Sequence, residues 1–272
     1  IVEYEGWKFA KVQWCDDGSL KDVDSNGNGY GTVNDMVSVV VETDVIVDVS
    51  TPAIKALCDG LRNTSVTKLN MGDVGLTPMG LTTLASVISD MPALSEVNLS
   101  VNPISGANET IDDYGLSQGW EAIDSDVNGL VALGEALKVS TVSKISFANC
   151  HLGALGLTTL AKFIPDITAL TEVNLSVNKC FDADSAKALA DVIHKSNIQT
   201  LVIGPKATVV PAHGSDATSL DFSNQNLGPH ELIVISSAIS VIPVLLEVNV
   251  SGNKCFEERC CRPRQGQGQG QG

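Results

Sequence analysis

The chain has 272 residues, of which 43% are hydrophobic, 18% are charged and only 4% are aromatic. Seventeen lysines and arginines stand against 32 aspartates and glutamates, which gives a formal net charge of −15. Duplex binding needs clustered cations that displace counterions, and anionic membranes attract basic surfaces. The composition therefore argues against nucleic acid and an anionic membrane surface as partners, while its apolar fraction suffices for a folded core. No apolar run reaches the ~18 residues that a membrane span needs, so no membrane insertion is expected.

The first 50 residues contain one candidate cation site. Asp22, Asp24 and Asn26 alternate and are followed by Gly27, which is how oxygen ligands and a turn glycine open a calcium-binding loop. The pattern then departs from such a loop, because Val33 stands where a bidentate glutamate is usual. Calcium is the one cofactor that the sequence suggests, and an Asx/Gly turn without a cation is the alternative.

From residue 66 onward the chain repeats itself. Six segments fit the aliphatic pattern of L-x-x-L-x-L-x-x-N/C-x-L, and all 24 of their aliphatic positions are apolar. Asparagine or cysteine fills the N/C position in four of the six, at Asn102, Cys150, Asn178 and Asn253. The repeats begin at Val66, Leu94, Val142, Leu170, Ala217 and Leu245. The starts lie 28 residues apart between the first and second, the third and fourth, and the fifth and sixth of these repeats. A degenerate seventh repeat begins at residue 198, where Pro205 and Pro211 replace the expected helix.

Amphipathic helical patterns lie between the predicted strands. One begins at Thr77-Pro78, an N-cap residue followed by proline at the first helical position. The others are predicted at residues 126–137, 154–164, 184–194 and 230–241. A strand and a helix cannot bury a core alone, but stacked repeats can. We therefore predict an α/β fold with one continuous core between a parallel sheet and an outer layer of helices.

The sequence resembles the ribonuclease-inhibitor-like class of the leucine-rich repeat family. The resemblance rests on the 28-residue period of the repeat and on its asparagine or cysteine slot. The resemblance covers residues 51–256 and implies a curved solenoid, with the sheet inside and the helices outside, that binds other proteins without catalysis. Residues 1–50 are then expected to form an N-terminal capping segment. This segment and an insertion at residues 105–125 resemble parts of repeat proteins from unicellular algae. The tail at 257–272 is of low complexity and is predicted to be disordered.

The first candidate binding surface is the polar face of the predicted sheet. Opposite charges on strands about 4.8 Å apart are expected to pair across the sheet. The residues concerned are Lys68, Glu96, Lys144 and Glu172, beside an amide row that includes Asn98 and Asn174. Two interpretations stay open: a face whose polar groups satisfy one another, or a recognition surface.

The second candidate is the insertion, which carries Tyr114 and Trp120 among acidic residues. A long loop that presents two aromatic side chains on a rigid scaffold often carries function. The alternative is that Trp120 packs the loop back onto the repeats.

No catalytic residue is predicted. Residues 115–119 match G-x-S-x-G, but no strand-to-helix turn is predicted there. We expect a non-enzymatic protein–protein interaction module or scaffold. The alternatives are a regulator of a small GTPase, of the GTPase-activating type, and a structural subunit of a larger assembly. The seven dispersed cysteines suit a reducing compartment, so a cytoplasmic location is expected.

Overall fold

A computed structural model describes backbone and side chains over residues 53–112, 116–178 and 182–254, and backbone alone in five N-terminal strands and the start of the first helix. The chain divides into two compact units, Ile1–Gly60 and Leu61–Gly272. The tail at 257–272 lies outside the described residues.

The first compact unit contains short antiparallel strands. Its elements are β1 (Lys11–Trp14), β2 (Leu20–Val23), β3 (Gly29–Thr32), β4 (Ser38–Val41), β5 (Val45–Asp48) and most of α1 (Ser50–Leu61). Strands β1, β2 and β3 form one sheet in that order, and β4 pairs with β5. Asp22 lies in β2, whereas Asp24 and Asn26 lie outside the described residues, so the calcium site stays a prediction.

The second compact unit alternates strands and helices as the repeat predicts. Its elements are β6 (Lys68–Asn70), α2 (Pro78–Ile88), β7 (Glu96–Asn98), β8 (Asn108–Ile111), β9 (Ser117–Glu121), α3 (Asn128–Lys138), β10 (Lys144–Ser146), α4 (Ala154–Phe163), β11 (Glu172–Asn174), α5 (Ala183–Ile193), β12 (Thr200–Ile203), β13 (Thr208–Pro211), β14 (Ser219–Asp221), α6 (Pro229–Ser240) and β15 (Glu247–Asn249). Strands β6, β7, β10, β11 and β12 are parallel neighbours in this order. The predicted parallel sheet with helices between its strands is therefore present.

The aliphatic slots of the interior repeats form the core. Because successive strand residues point to opposite faces, the central residue of each short strand turns towards the helices. Val97 and Val173 are each only 2% exposed, and the Leu76 and Leu152 slots that precede the helices are fully buried. Neighbouring helices pack against one another in chain order, which completes the second layer.

Buried asparagines join neighbouring repeats at the N slot. Asn178 accepts hydrogen bonds from the backbone N–H groups of Cys150 and Leu152, at 3.0 and 3.1 Å. It donates to the carbonyl oxygens of Phe147 and Leu175, at 2.8 and 3.1 Å. One side chain thus pairs four backbone groups that no ladder would satisfy, which is why an amide suits this slot.

The parallel sheet is interrupted at the degenerate repeat. After β12 the chain doubles back, and β13 pairs antiparallel with β12 along the edge that the next parallel strand would have used. The following repeats instead form a separate two-stranded parallel sheet of β14 and β15. Proline accounts for the lost helix, because Pro205 and Pro211 cannot donate helical hydrogen bonds.

Candidate binding surface on the sheet

The polar sheet face carries a hollow of about 330 Å³ that spans β6, β7, β10 and β11. All six of the sheet residues proposed from the sequence line it: Lys68, Glu96, Lys144, Glu172, Asn98 and Asn174. We call this hollow the ladder groove. Asn70 and Ser146 complete its amide row.

Strand alternation and strand register bring these side chains together. In each of β6, β7, β10 and β11 the middle residue is buried, so the residues on either side of it face the groove. Lys68 lies directly beside Glu96, Glu96 beside Lys144, and Lys144 beside Glu172. Positive and negative charges therefore alternate across four neighbouring strands.

Two ion pairs lie on this face, as the sequence predicts. Lys68 Nζ is 2.8 Å from Glu96 Oε2, and Lys144 Nζ is 3.0 Å from Glu172 Oε2. The hydrogen bond from Lys68 lowers the pKa of Glu96, and the charges of Lys68 and Lys144 act in the same direction. The hydrogen bond to Glu172 raises the pKa of Lys144. Glu96 and Lys144 are thus held in their charged forms at neutral pH.

The amide row is also paired within the chain. Asn98 Nδ2 donates to Asn70 Oδ1 at 2.9 Å, and Asn98 Oδ1 accepts from the backbone N–H of Ser100 at 3.0 Å. Asn174 Oδ1 accepts from the backbone N–H of Ser176 at 3.0 Å. At these amide oxygens a ligand of the groove would have to exchange existing contacts rather than fill vacant ones.

That exchange requires little free energy at the ion pairs. The Lys68 and Lys144 side chains are 69% and 48% exposed, and ion pairs in such positions typically contribute about 0–1 kcal/mol. The backbone beneath them is fixed by the parallel ladder. The groove therefore combines side chains that rearrange easily with a rigid floor.

The insertion is a β-hairpin rather than the long loop predicted from the sequence. Strands β8 and β9 pair antiparallel, with Glu109 opposite Trp120. The Trp120 ring stacks on His151, with ring centroids 3.6 Å apart and an angle of 17° between the planes. This contact is the one that the alternative interpretation of Trp120 predicts. Tyr114 lies outside the described residues, and a role of either aromatic side chain in binding stays a prediction.

Sequence reasoning missed the part that Asp124 plays in holding the insertion. Its Oδ1 accepts from the backbone N–H of Gly153 at 3.0 Å, and its Oδ2 from that of Gly156 at 2.9 Å. The carboxylate thus caps α4 from outside the helix. A Cβ at position 156 would lie 2.7 Å from Asp124 Oδ1, so glycine leaves room for the cap. The sequence signal that could have indicated this cap is Gly153. Glycine at the N-cap position of α4 has no side chain with which to cap the helix, whereas the N-cap residue of α2 is Thr77.

Metal-ligand clusters and membrane-spanning helices are both absent from the described residues. No three histidine, cysteine, aspartate or glutamate side chains there are grouped as a metal ion would require. No helix in the described part of the chain has both the length and the apolar character needed to cross a bilayer.

Comparison with known proteins gives structural similarity alone. No family model and no curated protein sequence matches the chain. A structure described as actin-binding site 2 of leiomodin-1 is 11% identical, with a TM-score of 0.42, over 56% of this chain and 76% of the other. The tropomodulin C-terminal domain of Caenorhabditis elegans is 10% identical, with a TM-score of 0.43, over 68% of this chain and 90% of the other.

Proposed function

We propose that this chain is a non-enzymatic protein-interaction module, built as a leucine-rich repeat solenoid, and that the ladder groove is its binding surface. One observation carries the proposal. Six polar side chains from four neighbouring strands line one groove in a regular pattern of alternating charge. Because the parallel backbone fixes their spacing, little ordering free energy is lost when a partner binds.

The groove favours a polypeptide partner that carries both acidic and basic side chains. Adjacent positions of the Lys68–Glu96–Lys144–Glu172 row are separated by one strand spacing, about 4.8 Å. A partner whose charges alternate in the opposite phase would replace each internal ion pair with an intermolecular one. A partner of a single sign would meet a repulsive charge at every second position, so the row selects by charge order.

The amide row adds directional contacts beside the charges. Asn98 and Asn174 can each donate and accept, which suits the backbone or polar side chains of a bound segment. None of the lining residues is aromatic or arginine, the types that dominate tight interfaces. The expected complex is therefore polar and readily reversible, and its association rate depends on salt.

The test is a charge swap that leaves the chain's own ion pairs in place. In the quadruple variant Lys68→Glu/Glu96→Lys/Lys144→Glu/Glu172→Lys every pair of neighbours in the row still carries opposite charges across β6, β7, β10 and β11, so stability and net charge should be kept. The order of charges that a partner meets is inverted. Proteins retained from a native extract by the immobilised wild-type chain are identified and then titrated against both forms by calorimetry. We expect the swap to weaken binding roughly tenfold to 100-fold.

The matched control swaps Lys55 and Asp59, an exposed ion pair of 2.8 Å on α1 that does not line the groove. This control should bind as the wild type does. Equal binding by the groove swap and the wild type would contradict the proposal. If the retained partner is a small GTPase, its rate of GTP hydrolysis separates an activating regulator from a scaffold, because a scaffold leaves that rate unchanged.

A further inference from the structure

The last repeat leaves apolar core slots exposed. Val248 and Val250 are each 39% exposed, whereas Val97, which occupies the same slot as Val248 in an interior repeat, is 2% exposed. The sequence predicted all of these slots to be core, and for this repeat the prediction is wrong. The physical reason is that each repeat buries its slots against the next one, and no described element follows β15.

Leu246 is a third exposed apolar residue of the last repeat. In the other regular repeats the equivalent position carries serine or threonine. Ser95 Oγ there donates to the Thr67 carbonyl oxygen at 3.0 Å, and Thr171 Oγ1 donates to that of Ser143 at 3.2 Å. In the last repeat this position is leucine and is 87% exposed. An exposed leucine, where a hydrogen-bonding hydroxyl is the rule, adds apolar surface beside Val248 and Val250.

Among the described strands, β15 pairs with β14 on one edge and with none on the other. Glu247 donates its N–H to the Thr218 carbonyl oxygen at 3.1 Å, and the Asn249 carbonyl accepts from Phe222 at 2.8 Å, so both residues bond towards β14. Because backbone groups alternate in direction along a strand, the N–H and C=O of Val248 point to the opposite edge. The terminal strands of the six-stranded sheet carry Lys68 and Pro211, residue types that discourage further pairing, but β15 carries neither type.

We propose that β15 pairs antiparallel with β15 of a second copy of this chain, about a two-fold axis at Val248. In this register the Val248 N–H of each copy donates to the Val248 carbonyl of the other. Glu247 of one copy then lies opposite Asn249 of the other, so that a carboxylate meets an amide and no like charges face each other. The arrangement is self-complementary, as a two-fold interface requires.

The apolar row extends the interface beyond the three strand residues. The two Val248 side chains meet on the axis, and Leu246 of one copy approaches Val250 of the other. The dimer therefore covers the exposed apolar side chains of both last repeats and supplies partners for the two outward-facing backbone groups of each Val248. This inference is independent of the ladder groove, which lies on β6, β7, β10 and β11.

The composition of residues 255–272 favours a second copy over that segment as the occupant. Beyond residue 254 the only apolar residues are Cys255, Phe256, Cys260 and Cys261, and everything after residue 261 is arginine, proline, glutamine or glycine. A second copy offers Leu246, Val248 and Val250, three aliphatic side chains at matching spacing in and beside β15. In the antiparallel register it also sets no like charges opposite each other.

The experiment is sedimentation velocity of the full chain at increasing protein concentration. We expect the wild type to form a dimer whose fraction rises with concentration. Val248→Lys should weaken the dimer roughly 100-fold, because it places an unpaired ammonium on each side of the two-fold axis. The control is Val209→Lys on β13, an exposed valine on another terminal strand, which should change association by no more than about twofold. A monomeric wild type, or a dimer that survives Val248→Lys, would overturn the proposal.

Hydrogen exchange of the wild type gives a second readout that does not depend on any variant folding. The amide of Val248 should exchange more slowly as protein concentration rises, because only the dimer pairs it. Slow exchange that does not vary with concentration would assign the edge to a covering segment of the same chain and overturn the proposal. Rapid exchange at every concentration would overturn it as well.

Discussion

At the scale of single residues, buried asparagines hold the repeats in register. Asn102 is fully buried. It accepts from the backbone N–H groups of Val74 and Leu76, at 3.1 and 2.8 Å, and donates to the carbonyl oxygens of Met71 and Leu99, at 2.7 and 2.9 Å. Since the first three of these groups belong to the preceding turn of the chain, one amide connects β6 to β7. Such side chains explain why the repeat requires a polar residue inside its core.

Asn102→Ala should lower the free energy of unfolding by about 3 kcal/mol, because four backbone groups lose their partner in a site closed to water. Urea unfolding measures the loss. Asn70→Ala is the matched control, since Asn70 is exposed and its amide lies in the groove. The control should lose no more than about 1 kcal/mol. Equal losses for the two variants would contradict this account of the N slot.

Val101 illustrates the opposite case, a residue that suits its position poorly. It has a φ of 63° and is 43% exposed, and Val177 has a φ of 62° at the same position of another repeat. Asn149 and Asn224 occupy this position elsewhere, with φ values of 52° and 56°. The left-handed region is unfavourable for a β-branched residue and is tolerated by asparagine.

We therefore expect Val101→Asn to raise the free energy of unfolding by about 1 kcal/mol, since little packing is lost at an exposed site. Urea unfolding of the variant and of the wild type shows whether the free energy of unfolding rises. The converse change Asn149→Val should destabilise the chain by a similar amount. A Val101→Asn variant less stable than wild type would show that the valine makes a contact that outweighs its backbone strain.

Cys150 should be chemically inert while the chain is folded. Burial raises the pKa of its thiol to about 12. The thiol also lies 3.1 Å from the carbonyl oxygen of Leu99. Because the thiolate is the reactive form, iodoacetamide at mildly alkaline pH should leave Cys150 unmodified until the chain unfolds. Mass spectrometry of the peptide that contains Cys150 measures the reaction. Modification at the rate of an exposed thiol, without unfolding, would contradict the described burial.

At the scale of elements, the hairpin of β8 and β9 is part of the scaffold. Asp124→Ala removes the cap from α4 and should destabilise the chain by about 1 kcal/mol. Asp124→Asn keeps one acceptor oxygen and should recover part of that loss. Thermal unfolding of the two variants tests the order. If both behave as wild type, the cap does not contribute to stability. Deletion of residues 105–125 would remove Asp124 and therefore the cap of α4. A loss of binding in such a variant could then result from lost stability as well as from lost recognition.

The helices were the most predictable elements, and the antiparallel pairings were the least. Thr77 caps α2 as its position before Pro78 predicts, and its side chain accepts from the Gly80 N–H at 3.2 Å. These signals are local in sequence. The pairing of β13 with β12 and that of β8 with β9 depend on which edge is free in the assembled sheet. No spacing rule within a repeat contains that information.

The same distinction applies to the groove and the hairpin. The 28-residue period alone places Lys68 beside Glu96 and Lys144 beside Glu172, so the charge ladder is predictable from the sequence. The Asp124 cap is not, because it joins residues 29 and 32 positions apart that belong to an insertion and to a helix of the next repeat. Insertions have no period from which a register can be derived.

At the scale of the whole molecule, the second compact unit combines a rigid sheet with an exposed, alternating row of charges. The hydrogen bond from Lys68 lowers the pKa of Glu96, so that pair persists until the pH falls through the depressed value. The hydrogen bond to Glu172 raises the pKa of Lys144, so the second pair persists until the pH rises through the elevated value. The full charge pattern is therefore presented across the neutral range, where a partner would meet it.

The most direct test of the binding surface is lysine labelling with and without the captured partner. Lys68 and Lys144 are exposed enough to react with an amine reagent, and Lys187 on α5 is an exposed lysine outside the groove. If the ladder groove is the binding surface, saturating partner should strongly slow the labelling of Lys68 and Lys144 and leave that of Lys187 unchanged. Unchanged labelling of Lys68 and Lys144 in the complex would contradict the proposed function.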